Sequence, residues 1–156
     1  MSDTCDAPSH DSSVTLREIT ADTVRVICGL SVTEVQTQFV AANALSIAQA
    51  YFSKCAWFRA IYADETPVGF VMLYDDTKKP EYFLWRLMID QRYQGMGFGR
   101  KALEHLIEYV KTRPGATVLL TSIHVAEGSP QGFYERMGFK LTGDWEEDEA
   151  LMRLRL

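Results

Sequence analysis

The sequence has few of the features that mark a secreted, membrane-bound or metal-binding protein. It contains three cysteines in 156 residues, none in a C-x-x-C pair, so neither a disulfide framework nor a zinc site is expected. No segment approaches the roughly 20 consecutive apolar residues that a membrane helix needs. The amino terminus has no basic stretch followed by an apolar run, as a signal peptide would have. We therefore expect a cytoplasmic protein with no membrane partner and no metal.

The sequence also has fewer basic than acidic residues. Sixteen Lys and Arg stand against twenty-one Asp and Glu, a net charge of −5, which argues against a nucleic-acid partner. The charges are unevenly distributed, because residues 78–113 have a net charge of +4 and the remainder has −9. This separation suits a protein that holds an anionic cofactor and a cationic substrate, with ordinary surface scatter as the alternative.

Hydrophobic periodicity predicts one mixed α/β domain over residues 14–156, after a disordered polar tail at residues 1–13. The order β-α-α-β-β-β-α-β-α-β-β predicts a single sheet with helices on both faces. Residues 31–42 have no clear assignment. Strands are predicted at 14–19, 57–63, 68–74, 82–89, 117–123, 139–142 and 151–156, and helices at 21–30, 43–51, from 98 to before Pro114, and 129–137.

The most informative segment is the glycine-rich run at residues 94–100, between an apolar strand and an amphipathic helix that begins at Phe98. Glycine lets the backbone approach a ligand, and the first turn of a helix offers unpaired N–H groups, so the run predicts a phosphate cradle. A P-loop is excluded because Ala102, not Ser or Thr, follows Lys101. A dinucleotide fold is excluded because the spacing is G-x-G-x-G, past the middle of the chain, and the next strand supplies no acid.

The remaining pattern, Gln-x-x-Gly-x-Gly at Gln94, Gly97 and Gly99, resembles the pyrophosphate loop of the GCN5-related N-acetyltransferase (GNAT) family. Residues 133–139 resemble the family's later signature, a tyrosine followed after three residues by Gly-Phe. The resemblance extends over residues 14–156 and is strongest over 82–142. It implies an acyl-CoA N-acyltransferase fold with a mostly antiparallel central sheet, an enzyme that uses acetyl-CoA as donor, and a homodimer, which is common in the family.

The same resemblance implies roles for particular residues. Tyr134 would protonate the departing thiolate of coenzyme A. The central strand, at Leu87, Met88 and Ile89, would align the pantetheine arm through its backbone. The pyrophosphate would lie against the loop formed by Gln94, Gly95, Met96, Gly97, Phe98, Gly99 and Arg100, and Lys101 could also reach an outer phosphate.

The acceptor is predicted from a second likeness. The spacing of Val32, Gln36, Phe39, Val40 and Asn43, and residues 127–134, are similar to those of bacterial spermine/spermidine acetyltransferases. This likeness implies a primary amine of a small di- or polyamine as substrate. Aminoglycoside, amino-acid and peptide amines are the alternatives, and so are a longer acyl chain and a non-catalytic module that only binds acyl-CoA.

No general base is evident. Polyamine acetyltransferases often carry an acid on the central strand at the position that here is Trp85, which could instead stack on a cationic amine. The remaining candidate acids are Glu34, Glu81 and Glu127, and deprotonation through ordered water is the alternative.

The other nucleophilic and titratable side chains predict no covalent step. Cys28 and Cys55 have no neighbouring histidine in the sequence, so direct transfer in a ternary complex is expected rather than an acetyl-cysteine intermediate. His105 and His124 are interpreted as structural residues.

Overall fold

The computed structural model describes residues 6–156. Within them, no helix is long and apolar enough to cross a membrane. Short 3₁₀ helices lie at Val35–Gln38 and Gln91–Tyr93. The main elements are β1 (Val14–Arg17), α1 (Val24–Gly29), α2 (Asn43–Tyr51), β2 (Ala56–Ala63), β3 (Thr66–Asp76), β4 (Glu81–Ile89), α3 (Phe98–Lys111), β5 (Val118–His124), α4 (Gln131–Arg136), β6 (Lys140–Glu146) and β7 (Glu149–Arg155).

The seven strands form one sheet in the order β1-β2-β3-β4-β5-β7-β6. All neighbouring strands are antiparallel except β4 and β5, which are parallel. The predicted hairpin of β2 and β3 and the predicted pair of β6 and β7 are both present. The mixed, mostly antiparallel sheet that the sequence predicted is confirmed.

Helices cover both faces of the sheet, as predicted. On one face α3 buries an apolar stripe at helical spacing, and Tyr134 of α4 packs into the same cluster. On the other face Ile27 of α1 and Ile47 of α2 pack against Phe70 and Met88. We call these the α3/α4 face and the α1/α2 face. The stripe of α3 consists of Phe98, Ala102, Leu103, Leu106 and Val110.

A β-bulge interrupts β4 at Trp85. Met72 of β3 pairs with Arg86, and the next residue, Leu73, pairs with Leu84, so Trp85 is an extra residue without a partner. Trp85 packs into the cluster on the α1/α2 face, and Arg86 points to the same side, where its guanidinium donates to Gln49 of α2 at 3.2 Å. Two consecutive side chains therefore lie on one face of β4.

The sheet opens between β4 and β5. Their ladder contains only the pairs Phe83 with Leu120 and Leu84 with Thr121. Beyond Leu84, β4 continues to pair with β3, and beyond Thr121, β5 continues to pair with β7. The two central strands therefore separate toward their carboxyl ends.

The amino-terminal predictions need correction. Within the predicted tail, residues 1–5 lie outside the described part, but Ser12 is buried, the Ser13 carbonyl accepts from the N–H of Asp64 at 2.8 Å, and the Lys101 ammonium donates to the His10 carbonyl at 2.7 Å. The ordered chain therefore begins before Val14. The first helix begins at Val24 rather than at residue 21, because the Thr23 hydroxyl accepts from the N–H of Thr20 at 2.9 Å and holds a turn there.

Candidate active site

A cleft of about 1630 Å³ lies where β4 and β5 separate. One side is formed by the second half of β4 and the glycine loop, and the other by the second half of β5. Tyr134 lines the cleft, and so does the turn between β6 and β7, which carries Glu146, Glu147, Asp148 and Glu149. The cleft thus joins the predicted phosphate cradle to the predicted proton donor.

The glycine loop has the backbone of an anion site. Gly95 and Gly97 have φ angles of 80° and 81°, which side-chain-bearing residues rarely adopt, and a Cβ atom at either position would meet no atom within 4 Å. The Lys101 N–H bonds the Gly97 carbonyl at 3.1 Å and so forms the first bond of α3. The N–H groups of the preceding residues, Phe98 to Arg100, have no helical partner and carry the positive end of the helix dipole.

Asp90, the residue that follows β4, anchors the start of this loop. Its buried carboxylate accepts from the N–H of Ser31 at 3.0 Å, and from the N–H and the guanidinium of Arg92 at 2.9 and 2.8 Å. Burial alone would raise the pKa of Asp90, but these donors outweigh it and hold the pKa below its usual value. Asp90 therefore ties the loop to the segment after α1.

Gln94 acts on the loop through its side chain. Its amide donates to the Ile89 carbonyl at 2.9 Å and to the Gln36 side chain at 2.9 Å, and Gln36 donates back at 3.1 Å. Gln36 belongs to the 3₁₀ segment whose form the sequence left unassigned. Gln94 therefore holds the loop between β4 and this segment, and the N–H groups of the predicted cradle follow it.

The side chains of Leu87, Met88 and Ile89 are occupied in the two hydrophobic clusters. Leu87 and Ile89 pack on the α3/α4 face and Met88 on the α1/α2 face. Their backbone pairs with β3 on one side and has no β5 partner on the other, which faces the cleft. The strand can therefore offer backbone donors and acceptors to an extended ligand.

Tyr134 is buried at the bottom of the cleft between Phe133 and Phe139, with ring centroids 5.2 and 5.4 Å away. Burial raises the pKa of Tyr134 to about 12, and the Thr121 hydroxyl offsets part of the rise. Thr121 itself donates to the Leu84 carbonyl at 3.1 Å, at the last pair before the strands separate. The phenol is therefore protonated at neutral pH and stands where the cleft begins.

The acids that were predicted as candidate general bases do not lie together beside Tyr134. Glu34 and Glu127 are exposed and do not line the cleft. Glu81 lines it, but at the start of β4, three residues before Leu84, which corresponds to roughly 10 Å along a strand. Trp85 does line the cleft, and its indole lies 5.8 Å from the guanidinium carbon of Arg86.

The two basic residues that follow the glycines differ in their contacts. Arg100 lines the cleft and is exposed, with its guanidinium paired to Glu104 at 3.0 Å. Lys101 instead binds the carbonyls of His10 and Ser12, at 2.7 and 3.3 Å. The expectation that Lys101 reaches a phosphate is therefore not supported by its contacts.

A polar cluster that sequence reasoning missed lies on the β5 side of the cleft. Glu149 accepts a hydrogen bond from the Ser122 hydroxyl, and its other carboxylate oxygen lies 3.1 Å from Nε2 of His124. His124 was interpreted as structural, yet it lines the cleft, and Asp148 lies 3.6 Å from its Nδ1. The pairing of β5 with β7 brings these residues together, and no local sequence pattern indicates that pairing.

Comparison with known proteins agrees with this geometry. The model of the acetyltransferase (GNAT) family matches residues 31–139. The chain belongs to the GNAT family of acetyltransferases. The GNAT family match covers both the glycine loop and the Tyr134 motif, so the predicted N-acetyltransferase class is confirmed.

Individual relatives differ in what they acetylate. The chain is 28% identical over 140 residues to the spermine/spermidine N(1)-acetyltransferase of Bacillus subtilis (strain 168), covering 85% of this chain and 91% of that protein. It is 32% identical over 90 residues to the peptidyl-lysine N-acetyltransferase YjaB of Salmonella typhimurium, covering 58% and 54%. Among solved structures, PaiA N-acetyltransferase from Thermoplasma acidophilum in complex with coenzyme A has a TM-score of 0.70 at 17% identity, covering 92% of this chain and 99% of that one.

Proposed function

We propose that this GNAT protein transfers the acetyl group of acetyl-CoA directly to a primary amine of a small di- or polyamine in a ternary complex. The observation that carries the proposal is the gap between β4 and β5, which has an anion-binding loop at one end and a buried phenol at its base. The residues fit the donor: the N–H groups after Gly97 suit a pyrophosphate, and the edge of Leu87–Ile89 that has no β5 partner suits an amide-containing arm.

Tyr134 suits the role of general acid. A thioester loses a thiolate when an amine attacks its carbonyl, and a proton donor beside the sulfur lowers the barrier. With a pKa raised to about 12 by burial, the phenol holds its proton throughout the neutral range. Tyr134 packs into the core cluster of the α3/α4 face, and its contact with Thr121 keeps the phenol next to the opening of the cleft.

The polyamine class is favoured by two observations. The Bacillus subtilis (strain 168) relative, which aligns with 85% of this chain, is named for spermine and spermidine. In addition, four consecutive acidic residues, 146–149, line the cleft on the β5 side, where they would favour a cationic substrate. A peptide amine is the second candidate, because the Salmonella typhimurium relative is named a peptidyl-lysine acetyltransferase.

The experiment is release of free thiol from acetyl-CoA with a panel of polyamines, aminoglycosides, amino acids and lysine peptides. We expect turnover with putrescine-like and longer polyamines at lower KM than with the other amines. Higher kcat/KM for the peptides would select the second candidate. No coenzyme A binding and no thiol release with any amine would refute the proposal.

The variant Tyr134→Phe tests whether the cleft is catalytic. We expect kcat to fall by about 10²-fold or more, as for other general acids, while the Kd for coenzyme A is unchanged. Tyr109→Phe is the matched control, because it removes the half-buried phenol of Tyr109 on α3, which donates to Asp75 of β3 and lies outside the cleft. Unchanged kcat in Tyr134→Phe would contradict the assignment, and a protein that binds coenzyme A without any turnover would be a binding module.

A further inference from the structure

Strand alternation divides the cleft into two sides with different chemistry. Along β5, Leu119, Thr121 and Ile123 are buried, so the side chains between them point the other way. Tyr134 lies with Thr121 on the α3/α4 face. Ser122 and His124 therefore lie on the opposite face, the same one that carries Trp85 and Arg86 on β4.

This second side has a proton-accepting group beside the opening between β4 and β5. Ser122 is the first residue of β5 beyond the last pair with β4, as Trp85 is the first on β4. Trp85 offers no proton acceptor. Ser122, by contrast, donates to Glu149, and so fixes a carboxylate beside the opening, on the side away from Tyr134.

Cross-strand pairing sets the rest of the arrangement. Glu149 is the direct β7 partner of His124 in the antiparallel ladder, and the imidazole Nε2 lies 3.1 Å from the second carboxylate oxygen. The His124 side chain is 36% exposed, so a proton that reaches it can leave to solvent. One oxygen of Glu149 therefore faces the opening and the other faces a path outward.

We propose that Glu149 is the general base for the acceptor amine, with Ser122 and His124 as its positioning residues, and that this carboxylate on β7 replaces the acid that β4 lacks at Trp85. The assignment rests on the proposed acetyl transfer. An ammonium substrate gives one N–H proton to Glu149, and the neutral nitrogen then attacks the thioester carbonyl.

The remaining steps balance the protons. The new C–N bond forms, the C–S bond breaks, and the thiolate takes the phenolic proton of Tyr134. The second proton lost by the nitrogen as the amide forms restores the phenol. The proton on Glu149 passes through His124 to solvent, so one proton is released for each amide formed.

Charged groups around Glu149 fit a site that exchanges a proton. Arg86 faces it from β4, and His124 from β5, while Asp148 adjoins it on the turn with Glu146 and Glu147 beyond. Arg86 has a buried Nε without a hydrogen-bond partner among the described residues. Burial lowers the pKa of the Arg86 guanidinium, and the charge of Glu149 partly offsets this, so the two groups interact.

The test compares Glu149→Gln with Glu147→Gln, which removes one charge from the same turn without touching β5. For Glu149→Gln at neutral pH we expect kcat to fall by about 10²-fold with an unchanged Kd for coenzyme A, and the defect to shrink as pH rises, since more of the free amine is already neutral. Glu147→Gln should raise KM and keep kcat within about 3-fold, because charge attraction alone is lost.

Two further variants keep the assignment testable if Glu149→Gln fails to fold, as judged by melting and coenzyme A binding. Ser122→Ala and His124→Gln should each lower kcat by about 10-fold and change the pH profile, since each releases one oxygen of Glu149. If all of these variants have the kcat of the wild type, the assignment of Glu149 is overturned but the proposed function is not. The same conclusion follows if Glu147→Gln loses as much kcat as Glu149→Gln. Absence of wild-type turnover would overturn the proposed function and the assignment with it.

Discussion

Replacing Gly97 by alanine tests whether the loop is an anion cradle. Gly97 has a φ of 81°, and a Cβ there would meet no atom within 4 Å, so the folded chain has space for the methyl group. The left-handed backbone costs an alanine about 1–2 kcal/mol, which corresponds to a Tm lower by roughly 2–8 °C for a protein of this size. The same methyl group would stand in the cleft, where we expect the pyrophosphate to approach the backbone.

The expected loss of affinity can be estimated from the hydrogen bonds at stake. An N–H bond to a charged oxygen contributes about 1.5–3 kcal/mol, so keeping the phosphate from one such donor weakens Kd by roughly 10- to 150-fold. Gly143→Ala is the matched control, because Gly143 on β6 also has a positive φ, of 88°, and equally open space, but does not line the cleft.

Titration calorimetry with coenzyme A and thermal melting would separate the two effects. We expect both variants to lose similar stability, and only Gly97→Ala to lose affinity. An unchanged Kd for Gly97→Ala would refute the cradle, whatever happens to its Tm. A similar loss of affinity in Gly143→Ala would instead show that general destabilisation, not the cradle, weakens binding.

Two further predictions concern the anchors of the loop. Asp90→Asn should lower the free energy of unfolding by about 1–3 kcal/mol at neutral pH, because it weakens the buried bonds to Ser31 and Arg92. The pKa of Asp90 is lower in the folded than in the unfolded state, so the Asp90 carboxylate stabilises the fold at pH values above the unfolded pKa of ~3.9. This stabilisation disappears as the pH falls through the folded pKa. In denaturant melts, the difference in free energy of unfolding between wild type and Asp90→Asn should therefore become smaller in acid. Lys101→Met should speed proteolysis near residues 9–13, because the ammonium of Lys101 binds the carbonyls of His10 and Ser12. The Kd for coenzyme A should stay within about 3-fold of the wild-type value. A larger loss of affinity would indicate that Lys101 contacts a phosphate.

Local sequence patterns were sufficient to predict those elements whose structure depends on residues close together in the sequence. The bounds of α2 at Asn43–Tyr51 match the prediction from its helical spacing, and α3 begins at Phe98 as predicted, because an apolar stripe must be buried on one side. The conformation of the glycine loop was also predictable, since glycine spacing and a helix start lie within a few residues of each other, and its role as a phosphate cradle stays a prediction. Tyr134, the predicted proton donor, was selected by its motif and not by its environment.

Contacts between distant residues were not predictable in this way. Asp90 meets Ser31, 59 positions away, and Ser122 meets Glu149, 27 positions away. In the sequence both carboxylates look like ordinary charges at the ends of strands. What distinguishes them is burial or a cross-strand partner, and both are properties of the assembled sheet. This is why the sequence offered Glu34 and Glu127, which are exposed, and passed over Glu149.

The bulge at Trp85 shows how one residue affects both the packing of the core and the opening of the cleft. Strict alternation along β4 would place Arg86 on the same side as Tyr82 and Leu84, inside the cluster under α3 and α4, where a cation has no partner. The extra residue reverses the alternation, so that Leu87 and Ile89 fill that cluster and Arg86 turns toward α2. Because it directly follows the last pair between β4 and β5, the bulge also bends β4 where the two strands part. The extra residue thus keeps a charge out of the core and contributes to the opening of the cleft.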